Sequence, residues 1–86
     1  MYQGFFSRKA RKAFLRLADN DARRVKEAIE KLKQNPRTIG TIKLEDVRLA
    51  SYRFRVGDVR ILFDVDDGAR VIEIVDVRKR DEHTYK

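Results

Sequence analysis

At Pro36 the hydrophobic period of this 86-residue chain changes, and that change limits the fold more than any other feature. Ahead of it, Ala10, Phe14, Leu17 and Ala18 fall at i, i+4, i+7 and i+8, and Val25, Ala28, Ile29 and Leu32 at i, i+3, i+4 and i+7. Each set makes one stripe of an amphipathic helix. Behind it, Ile42 and Leu44 alternate with Thr41, Lys43 and Glu45, and Tyr52, Phe54 and Val56 alternate with Arg53 and Arg55, which is strand spacing. Proline has no N–H to give a helix and its ring clashes with the preceding turn, so Asn35-Pro36 marks the border. Helices followed by strands imply an α+β domain with two helices on one face of an antiparallel sheet.

Local signals divide the two halves further. YQGFFS suits a short edge strand, and Ser7 can cap a first helix over residues 8 to 18. Asp19, Asn20 and Asp21 break that helix and supply the cap of the second, giving an antiparallel two-helix hairpin. On the outer face of the second helix, Arg23 with Glu27, Lys26 with Glu30 and Glu27 with Lys31 form i,i+4 pairs, each worth about 0.2–0.5 kcal/mol. Asp66, Asp67 and Gly68 make a turn, and RVIEIVDV, rich in β-branched residues and apolar on both faces, has the composition of a central strand. The expected order is an N-terminal strand, two helices and a meander of about four strands, followed by the tail RKRDEHTYK.

Gly57 and Asp58 read as a two-residue turn of type II′, which has glycine first. That turn sets the register: Val56 faces Val59, Arg55 faces Arg60, Phe54 faces Ile61 and Tyr52 faces Phe63. One face then carries Tyr52, Phe54, Val56, Val59, Ile61 and Phe63 and meets the helices; the other carries Arg53, Arg55, Arg60 and Leu62. Like charges directly opposite in a sheet are destabilising, by up to about 1 kcal/mol. An arginine cluster that incurs this cost suggests a site whose bound form holds a phosphate, which the guanidinium fork meets with two hydrogen bonds at every physiological pH.

Composition narrows the partners. Twenty-one Lys and Arg against fourteen Asp and Glu leave a net charge of +7, which favours polyanions. Five of these cations, Arg8, Lys9, Arg11, Lys12 and Arg16, precede the first acid and can add a basic rim. Eighty-six residues make one domain, 1–86, able to bury roughly 60–65% of the surface its unfolded chain exposes. The absence of cysteine excludes a disulfide scaffold, a thiolate metal site and a cysteine nucleophile, and points to the cytoplasm. No signal-peptide run and no stretch of ~20 apolar residues is present, so a membrane partner is not expected.

The hairpin YRFRVGDVRILFDV, the closing segment VIEIVDVRKRDEHTYK, the basic helix around KARKAFLRL and the E-x-L-x-x-N-P end of the second helix together resemble the RelE/ParE toxin superfamily of toxin–antitoxin systems. The resemblance covers essentially the whole chain. It implies a RelE-like fold and one of two activities: ribosome-dependent cleavage of mRNA in the A site, as in RelE-like members, or non-hydrolytic inhibition of DNA gyrase, as in ParE-like ones. A catalytically inactive RNA-binding variant is a third reading. By this resemblance Arg53, Arg55, Arg60, Arg80 and Tyr85 match the positions that RelE-like nucleases use, and the tail pair Arg80 and Tyr85 favours the nuclease. The strand positions that are often lysine in such nucleases are arginine here, and arginine does not readily give up a proton. The implied partners are a RelB-like antitoxin and the ribosome with its mRNA and rRNA; no small-molecule cofactor is implied.

Cleavage of RNA by its own 2′-hydroxyl needs a proton acceptor, charge stabilisation at the pentavalent phosphate and a proton donor for the 5′-oxygen, and requires no metal. Arg53, Arg55 and Arg60 are the expected stabilisers. Arg80 stabilises or protonates the leaving group, and Tyr85 stacks on a base or accepts the proton, with His83 as its substitute. A tyrosine, whose pKa is ordinarily about 10, takes a proton only where neighbouring cations lower that value. Arg78, Lys79, Arg8, Lys9 and Lys12 complete the expected RNA-binding surface. The scattered acids show no metal-ligand spacing.

Overall fold

One serine joins the first strand to the first helix and ties both to the last strand. The computed structural model, which describes residues 1–46 and 48–79, runs β1 (Gln3–Phe6), α1 (Arg8–Leu15), α2 (Asp19–Gln34), β2 (Thr41–Lys43), β3 (Tyr52–Val56), β4 (Val59–Asp66) and β5 (Val71–Lys79). Between β1 and α1, Ser7 Oγ accepts the Ala10 N–H at 3.0 Å, the expected N-cap, and donates to the Val75 carbonyl at 2.7 Å. The Ser7 N–H also donates to the Ile74 carbonyl at 2.9 Å. A cap of this kind contributes about 1 kcal/mol.

The five strands form one sheet in the order β1-β5-β4-β3-β2. The expected antiparallel meander holds for β2 to β5, and β1 adds to the free side of β5 in parallel, so the sheet is mixed. Flanked by β1 and β4, β5 is an interior strand, as its composition implies. Both helices lie on one face. Ala10, Val25, Ala28, Ile29 and Leu32 pack there against Phe54, Val59, Ile61, Phe63, Ile72, Ile74 and Val77. The two apolar periods, one helical and one extended, thus meet in a single core.

Three local expectations need correction. The first helix ends at Leu15 rather than 18, where the Arg16 N–H turns back to the Ala13 carbonyl and the Leu17 N–H to that of Phe14. The second starts at Asp19 with an extended Ala18 at the cap position and no side-chain cap; Asp19 and Asp21 lie in its first turn, where they favour the helix dipole. The three i,i+4 pairs are not formed. Lys33 takes Glu30 at 2.8 Å, Lys26 sits 5.9 Å from the centre of the Phe14 ring, and Arg23 donates to Asn20 at 2.7 Å.

The register of the β3–β4 hairpin is the expected one throughout, with Tyr52, Arg53, Phe54, Arg55 and Val56 opposite Phe63, Leu62, Ile61, Arg60 and Val59. Gly57 has φ +59 while Asp58 is not in the left-handed region, which agrees with a type II′ turn. Between β4 and β5 the register slips once: Leu62 faces Asp76 but Phe63 faces Ile74, leaving Val75 as an extra residue. This bulge reverses the alternation of β5. Ile72 and Ile74 point to the helices before it, and Val77 and Lys79 do so after it, so that Asp76 and Arg78 point to the opposite face. Strict alternation would have sent Asp76 and Arg78 into the core.

At the end of the sheet remote from the Gly57 turn, Asp67 receives two bonds from the Arg37 guanidinium, at 3.0 and 2.9 Å, and one from Tyr2 Oη at 2.6 Å. Arg70 lies over the Tyr2 ring and Arg37 over the Tyr52 ring. The Arg37 bonds, then that from Tyr2, hold the Asp67 carboxyl down to about 2. Its folded pKa is below the unfolded value of about 3.9, so its contribution is complete above pH ~4 and is lost as pH falls through about 2. Acid titration of the melting temperature should show wild type losing stability relative to Asp67→Asn across that window. Parallel curves would show that Asp67 carries no such linkage.

Candidate nucleic-acid interface

The face of the sheet turned away from the helices is built from β3, β4 and the second half of β5. In register across the three strands lie Arg55, Arg60 and Arg78. Neighbouring strands are about 4.8 Å apart, so three guanidinium-bearing positions stand side by side over roughly 10 Å. All three side chains are exposed. One step along the strands is a second row, Arg53, Leu62 and Asp76.

The arginines differ in what restrains them. Arg78 Nε donates to Asp76 Oδ2 at 2.9 Å, and Lys9 Nζ approaches the same oxygen from α1 at 3.6 Å. Arg55 Nε donates to the Gly57 carbonyl at 2.9 Å, which draws its guanidinium towards the tip of the hairpin. Among the described residues no carboxylate pairs with Arg53, Arg55 or Arg60. The like-charge arrangement deduced for Arg55 and Arg60 is therefore present, and Arg78 extends it by one strand.

Asp76 is the residue that sequence reasoning missed. Its side chain is only 7% exposed although it lies on the outer face, and its other oxygen accepts the Val77 N–H at 2.8 Å. With both oxygens occupied it fixes Arg78 beside Arg60 and brings Lys9 to the edge of the row. An acid between two valines in IVDVRK gives no sign of this, because its face depends on the bulge.

The other expected residues divide. Lys79 is on the helix side of β5, where it bonds Asp21 at 2.7 Å, and does not join the row. Both Arg78 and Lys79 belong to β5 rather than to a tail. Arg8 and Lys12 are exposed on α1, and of the three α1 cations named for RNA binding Lys9 is the one in contact with this face. Arg80, His83 and Tyr85 lie outside the described residues. Leu62, on the outer face, is buried at 5% exposure. Among the described residues no group of three Asp, Glu or His side chains is placed to hold a metal ion, and no helix is long and apolar enough to cross a membrane.

Charge on this face is segregated along the strands. Four residues along β4 from Arg60, Asp64 faces Glu73 directly, and Asp66 follows at the strand end. Asp64 Oδ1 accepts the Ser51 N–H at 2.7 Å. Phe5 of β1, about half exposed, lies beside Glu73. The cationic row is thus at the hairpin tip and the carboxylates are about 13 Å away along the strand.

Solved structures and a family model match this chain. No curated protein sequence matches the chain. Among solved structures, a chain of the RelBE2 toxin–antitoxin complex from Mycobacterium tuberculosis superposes with a TM-score of 0.80 at 25% identity, covering 92% of this chain and 98% of that one. A chain of the archaeal RelE–RelB complex from Pyrococcus horikoshii OT3 gives 0.77 at 28% identity, covering 94% and 97%. The isolated Escherichia coli RelE toxin gives 0.79 at 21% identity over 99% and 93%, a likeness of fold. The family model for the ParE toxin of the type II toxin–antitoxin system parDE matches residues 5–84. The chain belongs to that toxin family, within the RelE/ParE superfamily.

Proposed function

We propose that this toxin is an endoribonuclease that cleaves mRNA in the ribosomal A site and so arrests translation. The observation that carries the reading is the row Arg55, Arg60 and Arg78, aligned across three strands with no carboxylate on its first two members. Such a row costs stability in the free protein and is compensated when phosphate oxygens lie across it. Arg53, Arg55 and Arg60 stabilise the charge that builds on the pentavalent phosphate. Proton transfer is assigned to the tail: Tyr85, or His83 in its place, accepts the 2′-hydroxyl proton, and Arg80 serves the departing 5′-oxygen.

The ribosome supplies what the row lacks. Arginine holds its proton at physiological pH, so this site stabilises charge better than it moves protons. Positioning of the message by rRNA in an in-line geometry then provides several kcal/mol of the barrier reduction. A RelB-like antitoxin that covers the basic surface is the partner that would restrain the activity, since the RelE–RelB complex from Pyrococcus horikoshii pairs a protein of this fold with one.

The second reading is inhibition of DNA gyrase, favoured by the match to the ParE toxin model. Two assays on purified protein separate them. Ribosome-bound mRNA is expected to be cut in the A site, with free RNA cut far more slowly and gyrase supercoiling unaffected. Blocked supercoiling with intact mRNA would establish the gyrase reading, and equal cleavage of free and ribosome-bound RNA would remove the role given to the ribosome.

A further inference from the structure

The arginine row does not stop at the edge of the sheet. Gly57, at the tip of the β3–β4 hairpin, has φ +59, and a Cβ built on it would stand 3.1 Å from Arg24 Nη1. Arg24 belongs to α2, on the other side of the sheet, yet its guanidinium reaches the same glycine whose carbonyl binds Arg55 Nε at 2.9 Å. Two guanidinium groups, one from each face, therefore converge on a single turn residue. Behind them, between α2 and β3, lies an open groove of about 500 Å³ lined by Arg24, Glu27, Lys31, Arg55 and the apolar Phe54 and Val56.

We propose that this groove is a second phosphodiester-binding subsite, in which Arg24 and Lys31 hold the same single-stranded RNA that lies on Arg55, Arg60 and Arg78. The inference rests on the RNA-cleaving reading above and extends its footprint around the hairpin tip onto the helix side. Three cations line the groove, and among the described residues none of them has a carboxylate partner. Arg24 and Lys31 are seven residues apart on α2, two helical turns, so they share a face and stand about 10 Å apart along the helix axis. Glu27 lies between them without bonding either one, which leaves the groove net positive by two and supplies an acceptor for the amino group of a base.

The floor separates RNA from an acidic polypeptide as the occupant. Ala28 and Phe54 expose only 6% and 8% of their surface, so the floor is closed and offers little apolar area to bury. It suits a ribose or the flat face of a base and offers no socket for the anchoring side chains of a peptide helix. The bond of Arg55 to Gly57 agrees, since it holds the Arg55 side chain at the turn residue that Arg24 also reaches. Gly57 is suited to both demands: it adopts the left-handed backbone without strain and leaves the space that Arg24 fills.

The test is salt-dependent binding of a short single-stranded RNA, made uncleavable by 2′-O-methylation, to the full chain. The double variant Arg24→Ala/Lys31→Ala alters two exposed side chains, and unchanged circular dichroism would verify its fold. Its affinity at low salt is expected to fall by about tenfold or more. The slope of log affinity against log salt should drop by about 1.4, since each phosphate of a single strand that is no longer neutralised lowers it by about 0.7. Arg37→Ala/Arg48→Ala removes the same charge from residues paired with Asp67 and Asp46 and is expected to bind like wild type.

Unchanged affinity and slope in the Arg24→Ala/Lys31→Ala variant, alongside weakened binding by Arg60→Ala, would overturn the second subsite and leave the arginine row standing. Equal weakening by both double variants would reduce the effect to net charge and also overturn it. Loss of poly-L-glutamate binding with RNA binding intact would assign the groove to an acidic polypeptide instead. If Arg60→Ala itself binds RNA like wild type, the parent reading fails as well.

Discussion

Arg60→Ala is expected to abolish cleavage of ribosome-bound mRNA while leaving the protein at least as stable as wild type. Arg60 is the middle of the row, with Arg55 opposite on β3 and Arg78 opposite on β5, so its removal relieves repulsion on both sides. Each such pair costs a few tenths of a kcal/mol to about 1 kcal/mol. The exposed methylene stem that is lost gives part of this back. The net change should fall between zero and about 1 kcal/mol of added stability. Activity should move the other way by about 10²–10³, the typical cost of removing one donor aimed at transition-state charge. Urea unfolding and A-site cleavage measured on the same preparation decide the matter. A variant that is both inactive and destabilised by more than ~1 kcal/mol would make Arg60 a structural residue rather than part of a phosphate clamp.

Deletion of Val75 should cost more than Val75→Ala yet leave Asp76 and Arg78 on the outer face. Val75 is the extra residue between the Phe63–Ile74 and Leu62–Asp76 pairs, and the bulge it makes keeps Asp76 and Arg78 away from the core. Removing it joins Ile74 directly to Asp76, so the two halves of the β4–β5 ladder close without a gap and the Leu62–Asp76 and Arg60–Arg78 pairs keep their faces. A strand that kept Val75 in strict alternation would instead turn a carboxylate and a guanidinium towards Ile61 and Val59, at several kcal/mol per ion even after relaxation, which rivals the 5–15 kcal/mol that holds a typical domain together. The deletion removes the carbonyl that Ser7 Oγ grips at 2.7 Å. The expected result is a chain that still unfolds cooperatively, destabilised by about 1–3 kcal/mol for the lost partner of Ser7. Val75→Ala keeps the residue count and should cost no more than about 1–1.5 kcal/mol. A deletion variant without a cooperative transition would show that the two halves of β5 cannot be joined in this register, and the account of Val75 as a residue inserted between two intact ladders would fall.

The hairpin was legible because its signals agree. Gly57-Asp58 specifies the turn, the turn specifies the register, and alternation then assigns Arg53, Arg55 and Arg60 to one face with no tertiary information. The helix–sheet division at Pro36 was legible for a similar reason, since two periods cannot share one element. β5 was not, because its apolar residues on both faces hide the phase of the strand, and a one-residue bulge reverses everything after it. Lys79, expected in a basic tail that binds RNA, instead ends β5 on the helix side beside Asp21, and the place of Asp76 has no mark in the sequence. The parallel pairing of β1 was equally hidden, as an edge strand of four residues carries no mark of the direction in which it will pair. The i,i+4 pairs on α2 failed because geometry on an isolated helix ignores the Phe14 ring and the nearer Lys33.

The segregation of charge along the outer face has a kinetic consequence. With cations at the hairpin tip and Asp64, Asp66 and Glu73 at the other end, the molecule carries a permanent dipole along β4 as well as its excess of positive charge. In the field of a polyanion such a body experiences a torque and turns before it touches, arriving tip first. Fewer collisions are wasted on the wrong orientation, and a narrow opening can be entered by its leading edge without a search after contact.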